Sequence, residues 1–119
     1  GMSQALEWCY TGEILKAEDA LAGGFVKAVL PADKLLEEAY RIAGRIAAHS
    51  PVAIALTRQM MYRNAAQSHP IEAHRVDSLA IFYVSQNSGK EGVASFLEKR
   101  APVFTDKVST DMPPFYPWW

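Results

Sequence analysis

The sequence has few residues that bind metals or form disulfides: one cysteine, Cys9, and three histidines. A single cysteine excludes an internal disulfide and suits a reducing compartment. No two of His49, His69 and His74 are three or four residues apart, the spacing that places two ligands on one helical face. We therefore expect no metal site. A nucleophilic pair of Cys9 with a histidine stays open, although a lone cysteine more commonly behaves as a small buried apolar residue.

The chain also lacks an excess of one charge and a long apolar run. Its 12 basic and 13 acidic residues give a net charge of −1, which provides no electrostatic footprint for nucleic acid or anionic lipid. No apolar stretch approaches the ~20 residues that cross a bilayer, and no signal-peptide pattern is visible. We expect no nucleic-acid partner, no membrane association and a cytoplasmic location. Residues 1–2 look like the remnant of a cleaved expression tag and the designed start.

What the 119 residues do contain is helical periodicity, and half of them are apolar. Ser50-Pro51 and His69-Pro70 each pair a capping residue with a proline at the first helical position, so they predict two helix starts. Asp33 is a reasonable cap for the helix before them. Apolar residues at three- and four-residue spacing form the stripe of that earlier helix: Leu35, Leu36, Ala39, Ile42, Ala43, Ile46 and Ala47.

A further helix begins near Ser88. Glu91 follows three residues later, which predicts a capping box in which the glutamate reaches back to the cap amide. Val93, Ala94 and Leu97 supply an apolar stripe, and Pro102 stops the helix. The helix before it is apolar on nearly every side from residue 79 to residue 84, which is typical of a helix buried between several partners.

In the first 30 residues the predicted secondary-structure elements are short. Residues 4–10 and 17–22 predict short helices, and Thr11-Gly12 and Gly23-Gly24 close them, because glycine accepts the left-handed conformation of a helix end. Residues 13–15 and 25–30 predict one or two short β pieces. The expected fold class is therefore mainly α, with these β pieces near the start.

The order of these features resembles the crotonase superfamily, the enoyl-CoA hydratases and isomerases. "KEGVASFLEKRAPVF" is similar to the closing helix of that family, and the Thr-Gly turn, the glycine-closed helix, the connector from Val26 to Pro31 and Ser50-Pro51 precede it in the family's order. Lys16 and Asn87 depart from the family's usual capping residues. The resemblance implies the helical C-terminal region of the crotonase fold. Residues 3–30 would end the catalytic core region, 31–104 would form a helical domain for oligomerisation and lid contacts, and 105–119 an aromatic tail.

The resemblance also implies the chemistry. Family members bind an acyl-CoA thioester in an oxyanion hole, and hydratases add two glutamates, but these parts fall upstream of residue 3. We therefore expect no catalytic residue in this chain, no cofactor besides the acyl-CoA substrate, and no activity of this part alone. Phe96 and Lys99 match positions near the CoA nucleotide. A simpler reading of Lys99 is an exposed cation at a helix end, where the dipole favours it.

Partners follow from the same resemblance. The expected partner is the chain itself, as a dimer or trimer, because the exposed apolar helices and the residues Phe115, Tyr116, Trp118 and Trp119 leave much surface to cover. The alternative is a helical oligomerisation or interaction module of the same ancestry that performs no chemistry.

Overall fold

The computed structural model describes residues 1–117; Trp118 and Trp119 lie outside the described part. Helix makes up 64% of the structure, and the described residues contain no strand. The predicted mainly α class is confirmed. The helices are α1 (Met2–Thr11), α2 (Ala17–Ala22), α3 (Leu35–Ala47), α4 (Pro51–Ala65), α5 (Pro70–Gln86) and α6 (Ser88–Glu98), with a 3₁₀ turn at Ala32–Lys34.

The chain divides into two compact units, Gly1–Tyr40 and the part from Arg41 onward, with the boundary inside α3. In the first unit, α1 ends at Gly12, whose φ of +64° is left-handed, and α2 ends at Gly23, before the left-handed Gly24. Both glycine stops are as predicted. Trp8 and Phe25 meet edge to face, with ring centroids 6.1 Å apart.

The predicted β pieces at 13–15 and 25–30 are wrong, because neither segment forms a strand. A strand needs a neighbouring backbone to complete its hydrogen bonds, and short pieces do not form a sheet alone. The N–H groups of Phe25 and Val26 instead donate to the carbonyl oxygen of Ala20 at the end of α2. These two backbone donors are therefore satisfied by the preceding helix and not by a neighbouring strand.

The second unit packs α5 against both α4 and α6. Its core contains Val52, Leu56 and Ala80, each at most 2% exposed. Burying a leucine-sized side chain contributes roughly 1.5–3 kcal/mol to stability. Five partly buried side chains surround this core: Met60, Tyr83, Val84, Met112 and Tyr116.

Part of the tail belongs to this core. Pro113 is fully buried, and the Tyr83 hydroxyl donates to the carbonyl oxygen of Asp111 over 3.0 Å. The ring of Phe115 meets that of Tyr83 edge to face at 6.1 Å. Phe115 and Tyr116 are half-buried, so these two residues leave less apolar surface to cover than the sequence predicted. Trp118 and Trp119, named in the same expectation, lie outside the described residues.

Two predicted helix starts are confirmed. The Ser50 Oγ accepts from the N–H of Ala53 (3.1 Å), and the His69 Nδ1 accepts from the N–H of Ile71 (3.2 Å). The prediction for Asp33 is wrong, because Asp33 lies inside the 3₁₀ turn that Pro31 precedes. None of the helices within residues 1–117 has the length and apolar character that crossing a bilayer requires.

Candidate functional site

The end of α6 is an unusual turn. Lys99 follows the last helical residue with φ +56° and ψ +34°, a left-handed conformation that favours glycine. Its N–H donates to the carbonyl oxygen of Phe96, and the N–H of Arg100 donates to that of Ser95 over 3.1 Å. These two bonds form the Schellman arrangement, which reverses the chain at the end of a helix.

This turn brings the two sequence-predicted site residues together. Phe96 is 70% exposed, and the Lys99 Nζ lies 4.6 Å from the centroid of its ring. An ammonium over an aromatic face is attracted by the ring quadrupole. The pair therefore offers a flat apolar surface beside a positive charge, which suits a ligand that carries a planar ring and an anionic group.

Glu91 bonds to two residues that follow the turn, Arg100 and Val103. Its carboxylate accepts two hydrogen bonds from the Arg100 guanidinium, with Nη2 and Oε2 2.9 Å apart, and a third from the N–H of Val103 at 2.7 Å. The Arg100 hydrogen bonds, followed by that of Val103, lower the pKa of Glu91 to about 2. Glu91 and Glu98 together raise the pKa of Arg100 above its usual range.

The predicted capping box at Ser88 and Glu91 is therefore wrong. Asn87 precedes α6 without a side-chain cap, and Ser88 is the first helical residue. The Glu91 carboxylate instead accepts from the Arg100 guanidinium, a bond between two charged groups that is stronger than one to a cap amide, and from the N–H of Val103. The family departures at Lys16 and Asn87 agree with this picture, because neither side chain caps the start of the helix that follows it. The Asn87 amide instead donates to the carbonyl oxygen of Tyr83 near the end of α5.

Ser88 takes part in a polar cluster that the sequence did not predict. The Ser50 hydroxyl donates to Asp106 Oδ2 over 2.6 Å, and the same oxygen accepts from the N–H of Val52 at 3.1 Å. Because the Ser50 hydrogen points to Asp106, the Ser88 hydroxyl is the donor in the 2.9 Å bond between the two serines. The cluster ties the starts of α4 and α6 to the segment after α6. No local spacing marks it, since Asp106 lies 54 residues from Val52.

An apolar groove of about 720 Å³ lies between α4, α5 and α6. Its wall includes Ile81, Val93 and Leu97, each more than 60% exposed. The stripe predicted for α6 is thus an open surface, and so is much of the apolar run in α5. A groove of this character favours an apolar partner over a charged one. The remaining lining residues are Ala53, Leu56, Thr57, Met60, Ala80, Val84, Ser85, Gly89, Lys90 and Ala94.

The other candidates do not assemble into a site. Cys9 is exposed, unlike the buried cysteine that a lone position commonly indicates. His69 caps α5, and the His74 Nδ1 lies 3.3 Å from Asp77 Oδ1 on the same exposed face. Across residues 1–117, no three histidine, cysteine, aspartate or glutamate side chains gather in a way that could hold a metal ion.

Comparisons with known proteins point to one family. A family model described as "Enoyl-CoA hydratase/isomerase" matches residues 1–107. The enoyl-CoA hydratase ACTT3 of Alternaria alternata is 40% identical over 110 residues, which are 89% of this chain and 36% of that protein. The mitochondrial enoyl-CoA hydratase domain-containing protein 3 of Xenopus laevis is 37% identical over 101 residues, 85% of this chain and 34% of that protein.

Solved structures agree. A putative enoyl-CoA hydratase/isomerase from Mycobacterium abscessus superposes with a TM-score of 0.80 at 30% identity, over 89% of this chain and 44% of that one. A Geobacillus kaustophilus enoyl-CoA hydratase subunit gives a TM-score of 0.77 at 33% identity, over 88% of this chain and 41% of that one. The chain therefore spans about a third of the curated relatives and about two fifths of the solved structures that it matches.

Proposed function

The chain belongs to the enoyl-CoA hydratase/isomerase family, and we propose that it is the C-terminal helical part of an enzyme that acts on acyl-CoA thioesters. The observation that carries the proposal is the pairing of Phe96 and Lys99 at the end of α6. Coenzyme A has an adenine ring next to phosphate groups, which are the planar and anionic features that this pair would bind.

The charges around Lys99 support an anionic ligand. Glu91 and Glu98, the two acidic residues of α6, are both bonded to Arg100. Within residues 1–117, Lys99 has no carboxylate in salt-bridge contact, and its ammonium lies over the Phe96 ring. A phosphate would draw the ammonium into a charge-assisted hydrogen bond, while adenine would occupy the aromatic face.

In this proposal the chain binds but does not catalyse. Enolate charge on a thioester needs preorganised donors at the oxygen, and the family resemblance assigns those donors and the catalytic glutamates to another part of the protein. The 119 residues should show no hydration of a short enoyl-CoA above background when loss of the conjugated thioester absorbance is followed. Turnover that survives repurification and is abolished by mutating Cys9 or His74 would refute this.

Calorimetric titration with adenosine 3′,5′-bisphosphate, the nucleotide end of CoA, tests the binding proposal. Phe96→Ala removes the stacking surface, worth about 1–3 kcal/mol per base, so Kd should rise at least fivefold. Lys99→Ala should also raise Kd and reduce its salt dependence. Lys90→Ala removes an exposed lysine elsewhere on α6 and should leave Kd unchanged. Equal affinities in all four proteins, or no binding by the unsubstituted chain, would contradict the proposal.

A second candidate function, a helical oligomerisation module, is favoured by the apolar groove. Covering several side chains of the size of Ile81 and Leu97 contributes roughly 1.5–3 kcal/mol each, enough to drive self-association into a dimer or trimer. Light scattering at micromolar concentration measures this. Ile81→Ser should shift the mass toward 13.2 kDa, whereas Ile14→Ser, at a 97% exposed position in the first unit, should not. A monodisperse monomer of the unsubstituted chain would refute this function.

A further inference from the structure

Glu91 and Arg100 together hold a chain reversal. Glu91 lies in the first turn of α6, and Arg100 is the second residue after its end. The guanidinium reaches back nine positions to the Glu91 carboxylate, and that carboxylate also accepts the N–H of Val103. The segment after Lys99 is thus fixed alongside α6 by one acidic side chain, at two points.

The turn between these points contains the left-handed Lys99. A lysine adopts this conformation only when its surroundings enforce it, because its Cβ crowds the backbone there. The backbone hydrogen bonds of Lys99 and Arg100 to the last turn of α6 hold the turn, and the bonds of Glu91 to Arg100 and Val103 hold it as well. The direction of the Lys99 side chain therefore depends on a residue that does not touch it.

We propose that Glu91 is a positioning residue, which acts through Arg100 and Val103 to hold the turn that presents the Lys99 ammonium to an anionic nucleotide. The proposal rests on the proposed function in naming the ligand. Glu91 itself would repel an anion. Its role is to fix the shape of the turn while the other cation, Arg100, is occupied by acidic partners.

A charge argument separates this role from a purely electrostatic one. Glu91→Gln removes one negative charge near the anion, so electrostatics alone predicts tighter nucleotide binding. Positioning predicts the opposite, because glutamine has no charge and a single acceptor oxygen, so it cannot keep all three bonds to Arg100 and Val103 and the reversal loosens. Glu98→Gln is the matched control. It makes the same isosteric change at the same guanidinium, yet Glu98 has no bond to Val103.

Amide hydrogen exchange tests, without any ligand, whether Glu91 holds the turn. In the unsubstituted chain the N–H groups of Arg100 and Val103 should exchange slowly. Glu91→Gln should speed exchange at Val103 at least tenfold and leave the core amides of α4 unchanged, and Glu98→Gln should leave Val103 protected. A Val103 amide that exchanges equally in all three proteins would overturn the proposal.

Titration with adenosine 3′,5′-bisphosphate then tests the consequence. The expected result is a Kd raised at least threefold by Glu91→Gln and unchanged or lowered by Glu98→Gln. Tighter binding by Glu91→Gln would overturn the positioning role. If the unsubstituted chain binds no nucleotide, the proposed function fails, whereas the exchange data still decide whether Glu91 holds the turn.

Discussion

Glycine and alanine at position 99 should reverse their usual order of stability. Both substitutions remove the ammonium and its contact with Phe96, so these losses cancel in the comparison. At φ +56° an alanine Cβ costs roughly 1–2 kcal/mol, while glycine loses roughly 0.5–1 kcal/mol more backbone entropy on folding. Taking the middle of each range, Lys99→Gly should be more stable than Lys99→Ala by about 0.75 kcal/mol.

Urea denaturation followed by circular dichroism measures this difference, provided that both variants have the same m-value. Thermal melts give a second reading, at about 4–8 °C for each kcal/mol in a unit of this size. Leu97 provides the internal control, because it is 70% exposed and lies inside α6. There alanine should be the more stable by about 0.5–1 kcal/mol. If alanine equals or exceeds glycine at position 99 as well, the left-handed turn is not formed in solution.

Three further predictions follow from the same structure. Folding lowers the pKa of Glu91 from 4.5 to about 2, so the stabilisation by its carboxylate should be complete above pH 4.5 and lost as the pH falls to about 2. In a curve of unfolding free energy against pH, Glu91→Gln should flatten this acid limb. Leu56→Ala should lower the free energy of unfolding, measured by urea denaturation, by about 2–5 kcal/mol, because Leu56 is 1% exposed. Leu36→Ala should lower it by under about 1 kcal/mol, because Leu36 is 69% exposed. Asp106→Ala should lower the free energy of unfolding by about 1–3 kcal/mol in the same assay, because it leaves the N–H of Val52 without its acceptor. An unchanged urea midpoint would show that the polar cluster is not formed.

The sequence predicted those features whose partners are near in the chain. Ser50 and His69 cap their helices through amides two or three residues away, so composition and spacing suffice. Gly12 and Gly24 are similar, because a left-handed backbone at a helix end is a local requirement. Phe96 and Lys99 were named through the family resemblance, and their role in CoA binding stays a prediction.

The features that could not be predicted depend on more distant groups. Ser88 and Glu91 have the right spacing for a capping box, yet Ser88 bonds to a serine 38 residues away and Glu91 to an arginine nine residues away. Competition from such partners is invisible to a local pattern. The β pieces failed for the same reason, because a strand is defined by a neighbour that this part of the chain does not supply.

The bond from Val52 to Asp106 has a consequence for synthesis. A helix emerging from the ribosome can form its local cap at once, so Ser50 can serve the amide of Ala53 as soon as α4 appears. The amide of Val52 must wait until 54 further residues have been added and α5 and α6 have brought Asp106 back. Until then the first turn of α4 keeps a donor exposed to water. The start of this helix should therefore be among the last parts of the second unit to gain protection during vectorial folding.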